Sequence, residues 1–286
     1  MLWREIIYQY DGSFDGFLCC VYESYTQKER PTAILSGEDD EPSLFEIRTV
    51  ETVPEHAQRV YRSFLKISPT VGPFLRRVFL SCMEEKEIAM YRFVVKLYRE
   101  GAPLLTHLSD EAYHPLLKAV RNLSGEAEAL RGFIRFSELG GILGAEIEPK
   151  NRILPMLRSH FCSRYHNESF FIYDRTHREA LLYANSVSQI VPLDHFEMAP
   201  PDKEEAGYRR LWRRFYDTIA IKERENLKLR RSNMPKRYRN TMTEFQDDDF
   251  FIPRSQGSGE ASPTPFAPTA IPAPEKPTGS VPSAPA

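Results

Sequence analysis

The sequence has few of the patterns on which catalytic and metal centres are commonly built. Its four cysteines (Cys19, Cys20, Cys82, Cys162) form no CxxC pair, which removes the usual warrant for a redox motif or a structural zinc site. Cys19 and Cys20 are adjacent within a helical pattern, and core packing is the reading they support. Seven histidines include no HExxH and no HxH, and His160 and Cys162, two apart, point to different faces of a helix. No metal site and no bound cofactor is expected. There is no P-loop, no GxGxxG after a strand and no GxSxG elbow, so nucleotide hydrolysis, dinucleotide binding and α/β-hydrolase chemistry lack their sequence signatures. No apolar run approaches the length of a membrane span, and Arg4 and Glu5 stand where a signal peptide needs an apolar core. A cytoplasmic protein with no membrane partner is expected.

What the sequence has is charge set in one place. From Gly207 to Asn240 there are twelve basic residues against three acidic ones, a local excess of +9 in a 286-residue chain of net charge −2. Helical spacing from about 206 to 232 places Tyr208, Leu211, Trp212, Phe215, Tyr216 and Ile219 on one arc, read as the face that docks on the protein. Arg210, Arg213, Arg224, Lys228 and Arg231 fall on the opposite arc, a basic seam about 32 Å long at 1.5 Å per residue. Lys236, Arg237 and Tyr238 follow, combining cations for phosphates with a ring that can stack on a base. A solvated surface is the alternative for any such charge run.

The remainder reads as α+β. Ile6 to Tyr10 is a strand, Ser13 caps the following helix, and a short strand at Leu44 to Val50 is placed to pair with the first. A helical block runs from about 54 to 130, with a helix expected after Pro54 whose inner stripe is Ala57, Val60, Tyr61, Phe64 and Leu65, and others from Thr70 to Cys82, from Glu84 to Glu100 with Gly101 as the stop, and from Asp110 to Leu130 with breaks near His114-Pro115 and Ser124-Gly125. From 131 to about 195 the pattern becomes strand, strand, helix, strand, strand. It has a hairpin turn at Gly140-Gly141, a helix over Ile153 to Tyr165, and a second hairpin around Thr176-His177. An antiparallel sheet gripping a helix is the fold class this predicts, in a single domain over 1–246. On the first strand of that unit, Phe133 and Arg135 alternate with Ile134 and Phe136, and Arg131 precedes them. This gives a mixed aromatic and cationic face that suits bases, or an arginine paired with Glu138 or Glu146. Glu126 and Glu128, at i and i+2, do not face each other and read as helix surface. Residues 247–286, with nine of the chain's 22 prolines after Ile252, read as a disordered tail. Phe250 and Phe251 at its start are candidates for partner docking or for packing back on the domain.

The runs YDGSFDGFL (Tyr10 to Leu18), GEAEALRGFIRF (Gly125 to Phe136), LWRRFYDTIAIKEREN (Leu211 to Asn226) and MPKRYRNTMTEF (Met234 to Phe245) resemble a bacterial domain-of-unknown-function family linked to DNA metabolism. The resemblance covers about Leu2 to Gln246. It departs at Glu128, where a histidine is expected, and at Arg239, where a tryptophan is expected. The resemblance implies work beside a radical SAM iron–sulfur protein in DNA repair or modification, and kinship with chains fused to uracil-DNA glycosylase-like domains. Since this chain has no three-cysteine cluster motif, the cluster belongs to that partner. The expectation is a DNA-binding accessory protein without activity of its own. The alternatives are a nuclease or glycosylase-like enzyme using Asp11, Glu128 and Asp174, and an assembly protein that does not bind DNA.

Overall fold

The computed structural model describes residues 3–37, 45–196, 207–211, 228, 232 and 234–242. Two hydrophobic cores organise them, and one long helix contributes to both.

The first core forms around a parallel sheet. Strand β1 (Arg4–Tyr10) leads through a tight turn into α1 (Phe14–Gln27), and α1 returns the chain to β2 (Glu29–Ser36). Strand β3 (Ile47–Thr49) pairs on the other side of β1, from Ile7 with Ile47 to Gln9 with Thr49, so the order is β2-β1-β3. The pairing of the first strand with the segment near Leu44 to Val50 is therefore as expected; β2 is an additional strand. Its sequence hides it. Pro31 has no N–H for the ladder, and the register skips Thr32 between Ile6 and Ile7. What fixes β2 is Glu29, 3% exposed, whose carboxylate accepts the Tyr8 hydroxyl at 2.9 Å and pairs with Arg48 at 3.1 Å.

Four helices pack beside this sheet: α2 (Pro54–Ile67), α3 (Val71–Leu80), α4 (Lys86–Glu100) and α5 (His114–Phe133). Proline in the first turn starts α2, and Gly101 at φ 72° stops α4. Phe17, Phe64, Phe93 and Leu97 are fully buried here, each worth about 1.5–3 kcal/mol of transfer free energy. Leu65, read as part of the inner stripe of α2, is 47% exposed instead. Two expected breaks differ as well. His114-Pro115 opens α5, and the helix runs through Ser124-Gly125 without interruption. A mid-helix glycine costs about 1 kcal/mol, and burial of Leu123, Ala127 and Leu130 around it offsets that.

The second core sits between the end of α5 and a five-stranded sheet, β4 (Ser137–Leu139), β5 (Ile142–Ile147), β6 (Phe170–Asp174), β7 (Glu179–Ala184) and β8 (Val187–Pro192), in sequential order. Helix α6 (Leu154–Arg164) crosses from β5 to β6, which makes that pair parallel; the other pairs are antiparallel. The fold is α+β, with the hairpin, helix and hairpin in the expected places and β8 added. Gly140 and Gly141 both take positive φ in the first turn, as a two-residue hairpin requires. Leu116 lies in the first core and Leu123 and Leu130 in the second, so α5 ties the lobes together. Among the described residues, no helix is long and apolar enough to cross a membrane. The tail at 247–286, with Phe250 and Phe251, lies outside the described residues.

Candidate functional site

One wall of a polar cleft is built by the turn after β1. Asp11 Oδ1 accepts the Ser13 N–H at 2.9 Å and Oδ2 accepts the Thr52 hydroxyl at 2.8 Å. Gly12 takes φ 76°, and Ser13 caps α1 by accepting the Gly16 N–H at 2.9 Å. A Cβ on Gly16 would stand 2.2 Å from Asp11 Oδ1, so only glycine lets the first turn of α1 lie against this carboxylate. Burial pushes the Asp11 carboxyl up, but the bonds from Ser13 and Thr52 outweigh it and hold its pKa below the ordinary value.

The facing wall hangs on Glu126. This carboxylate is inside the second half of α5, 3% exposed, and accepts the backbone N–H groups of Lys150 (3.1 Å) and Asn151 (2.8 Å) and the Asn151 side-chain amide (2.6 Å). Asn151 Oδ1 in turn accepts the Cys82 N–H at 2.9 Å, and the Arg152 N–H reaches the Leu80 carbonyl at 2.9 Å. The loop after β5 is thereby fixed, with Lys150 and Arg152 on the cleft. Arg152 pairs with Glu179 at 2.9 Å. His177, in the β6–β7 turn, places Nδ1 2.7 Å from Oδ2 of the fully buried Asp174, which leaves Nε2 for other partners. The cleft is about 520 Å³, bordered by Asp11, Cys82, Lys86, Lys150, Arg152 and His177.

The residues singled out in the sequence fall into three groups. Lys228 and Lys236 are exposed, as is Arg210 in the helical stretch 207–211; Arg213, Arg224 and Arg231 lie outside the described residues. The expected inner arc is different at its start. Tyr208 and Leu211 are 61% and 63% exposed, while Arg209 is buried and donates to Ser137 Oγ at 2.5 Å. Arg237 and Tyr238 belong to a 3-10 helix (Lys236–Thr241) docked on α5. Arg237 lies 3.3 Å from Glu126 Oε1, and its guanidinium sits 4.6 Å from the centroid of the Tyr238 ring. Tyr238 is buried, 5.3 Å from Phe133 centroid to centroid; burial raises its pKa, against the hydrogen bond from Arg237.

Arg131, Phe133 and Arg135 do not share a strand. The first two end α5, and β4 starts only at Ser137, because the apolar positions of 123–130 keep the helix going. Arg131 bonds Glu128 at 2.6 Å and the Met156 carbonyl at 3.3 Å; Arg135 donates to the Gly132 carbonyl at 2.8 Å. Glu128 is a surface residue, its side chain 73% exposed, as expected of it, whereas Glu126 is the buried centre of the site. Of the three acids proposed for an enzyme, Asp11 borders the cleft, Asp174 reaches it through His177, and Glu128 does not line it. Lys86, Lys150, Arg152 and His177 carried no sequence motif. The one available signal was Glu126 in the middle of an otherwise apolar helical face.

Fold and site thus define an α+β protein whose two cores meet along one helix and flank a cation-rich cleft. A family model described as a domain of unknown function (DUF4130) matches residues 84–244, more than half the chain. The chain belongs to that family. The match begins just before α4, so it takes in Glu126, the cationic cleft residues and the basic segment, while the Asp11 turn precedes it. No curated protein matches the sequence.

Proposed function

We propose that this chain is a DNA-binding accessory protein in repair or modification, acting beside a separate radical SAM iron–sulfur protein. The observation that carries the reading is the segment 207–240, with a local charge of +9 in a chain of net −2, and Arg210, Lys228 and Lys236 exposed along it. Cations concentrated this way are the electrostatic footprint of a phosphate backbone. The sequence resemblance to a family linked to DNA metabolism supplies the setting, including kinship with uracil-DNA glycosylase-like fusions. The four cysteines contain no cluster motif, so cluster chemistry is assigned to the partner.

The test is fluorescence anisotropy with single- and double-stranded oligonucleotides across a salt series. Wild type should bind with an affinity that falls steeply with salt. The Arg210→Glu, Lys228→Glu, Lys236→Glu variant should bind far more weakly, with a log–log slope flatter by about 0.7–0.9 per lost phosphate contact. An unchanged slope in a folded variant sinks the proposal.

A second reading has one observation in its favour. Asp174 orients His177 onto the cleft that Asp11 borders, an arrangement able to move a proton. Turnover of damaged DNA by the isolated chain, lost in His177→Ala, would move the assignment to an enzyme.

A further inference from the structure

We propose that the cleft between the β1–α1 turn and the Glu126-supported loop is a binding site for a phosphate monoester; that the phosphate is a nucleotide's rests on the DNA-binding reading above. It lies at the carboxyl ends of β1 and β2, with Tyr10, Ser36 and Gly37 on its border. Open parallel sheets place their ligands at that edge. Its volume, about 520 Å³, is of the size that holds a small molecule rather than a lone ion.

Cations outnumber carboxylates on its border by three to two, and one of the three, Arg152, is also paired with Glu179 at 2.9 Å. Lys86 from the start of α4, Lys150 and Arg152 from the loop after β5, and His177 from the β6–β7 turn converge from three directions. Two carboxylates also border the cleft, and both have donors already. Asp11 accepts from Ser13 and Thr52, and Glu87 accepts the Tyr10 hydroxyl at 3.2 Å. Among the described residues no group of three or more His, Cys, Asp and Glu is placed to hold a metal ion. Lys86 is the informative member. Its Nζ reaches the Ser81 carbonyl at 3.4 Å and lies 5.0 Å from the centroid of the Phe79 ring, with no salt bridge to a carboxylate among the described residues. Burial pushes its pKa down, Glu87 pulls it partly back, and the neighbouring Arg152 lowers it further. A dianion in the cleft would relieve both the lost hydration and the repulsion between the two cations.

The wall is also set in advance. Glu126 fixes the backbone at Lys150 and Asn151, Asn151 that at Cys82, and the Leu80 carbonyl that at Arg152, so the path of the loop is set before ligand enters. Several donors from separate directions match the three terminal oxygens of a phosphate better than the two of a carboxylate.

The phosphate can come from a free nucleotide or from the 5′ end of a DNA strand, and the experiment separates them. The full chain is titrated calorimetrically with inorganic phosphate and thymidine monophosphate, and by anisotropy with one oligonucleotide carrying a 5′-phosphate or a 5′-hydroxyl. Saturable binding of thymidine monophosphate is expected, weakened at least tenfold by Lys150→Gln and by Lys86→Met. Lys150 is exposed, so its variant keeps the fold even if that at Lys86 does not. A tenfold preference for the phosphorylated oligonucleotide, lost in Lys150→Gln, identifies a DNA end; equal oligonucleotide affinities with monophosphate binding intact identify a free nucleotide. If no phosphate-bearing probe responds to either substitution, the site is refuted. The Arg210, Lys228, Lys236 variant should bind thymidine monophosphate as wild type does, so failure of the DNA-binding reading and failure of this one are distinguishable.

Discussion

Glu126 Oε2 accepts both the backbone N–H of Asn151 at 2.8 Å and its side-chain amide at 2.6 Å, so one oxygen fixes both the path and the rotamer of that residue. The other oxygen takes the Lys150 N–H and faces Arg237. Through this carboxylate, the GEAEALRGF helix, the cationic loop and the MPKRYRN segment become one assembly. Three stretches that look unrelated in sequence thus meet at one carboxylate, and the loop it holds brings Lys150 and Arg152 to the cleft.

Substituting Glu126→Gln should therefore be costly. The amide keeps one acceptor but turns a donor toward Lys150 or Arg237, and hydrogen bonds to a charged group contribute about 1.5–3 kcal/mol. A loss of about 2–3 kcal/mol in urea unfolding is expected. Glu128→Gln, two residues away but exposed and paired only on the surface, should change stability by less than about 0.5 kcal/mol. Equal effects of the two would mean that the buried network is not what holds the loop.

Two glycines make a similar contrast. Gly16→Ala would put a methyl 2.2 Å from Asp11 Oδ1 and 2.7 Å from Thr52 Oγ1, forcing the turn open. A cost of about 1–3 kcal/mol is expected. Gly125→Ala meets nothing within 4 Å and sits in mid-helix, so it should stabilise by about 0.5–1 kcal/mol. Thermal melting of the two variants checks both signs.

Much of the fold was legible because it rests on local signals: Ser13 as a cap, Pro54 in a first turn, Gly101 as a stop, Gly140-Gly141 as a hairpin turn. Strands without such signals stayed hidden. β2 contains Pro31, and the β7–β8 turn uses Asn185 and Ser186 at positive φ where a glycine would have announced it. Helix continuation past Leu130 was hidden by the alternation of Phe133 with Ile134 and Arg135, which a strand would show too. The site was less legible. Its cations come from α4, a loop and a turn, brought together only by a buried glutamate whose partners lie 24 to 111 residues away in sequence, at Lys150 and Arg237. A charge count finds the segment 207–240 at once, but it cannot show that Arg209 and Arg237 are engaged inward while Arg210 and Lys236 face solvent.

The pH dependence of stability should carry two opposite contributions. Asp11 has a folded pKa below its ordinary 3.8, so the unfolded chain binds more protons between the two values. Its stabilisation is full above 3.8 and is lost as pH falls through the folded pKa. Glu146 has a folded pKa above its ordinary 4.5, because burial outweighs the pull of Arg175 and Glu148 adds repulsion. Its folded form binds more protons, so stability falls as pH rises from 4.5 through the raised value. In urea unfolding from pH 3 to 7, Asp11→Asn should lose most relative to wild type at the upper end. Glu146→Gln should gain relative to wild type as pH rises. Profiles parallel to wild type in both variants would contradict the assignment.

Tyr238 decides whether the aromatic beside the C-terminal cations is a reader of bases or part of the protein. Its ring is 3% exposed, packed 5.3 Å from Phe133 under the Arg237 guanidinium, and its hydroxyl receives a hydrogen bond from that guanidinium. A base could reach this ring only by displacing Arg237, which Glu126 also holds. Removing the hydroxyl alone, Tyr238→Phe, keeps the packing and should cost about 1 kcal/mol of stability. Tyr238→Ala leaves a cavity and should cost about 3–5 kcal/mol. The discriminating measurement is DNA affinity made at a temperature where each variant is fully folded. A structural ring predicts unchanged affinity and salt slope for Tyr238→Phe, and for Tyr238→Ala a loss confined to conditions where unfolding begins. A stacking ring predicts the reverse: Tyr238→Ala binds more weakly by about 1–3 kcal/mol while its melting temperature stays near that of wild type. The burial of the ring against Phe133 and under Arg237 favours the first outcome, in which the aromatic acts on the fold.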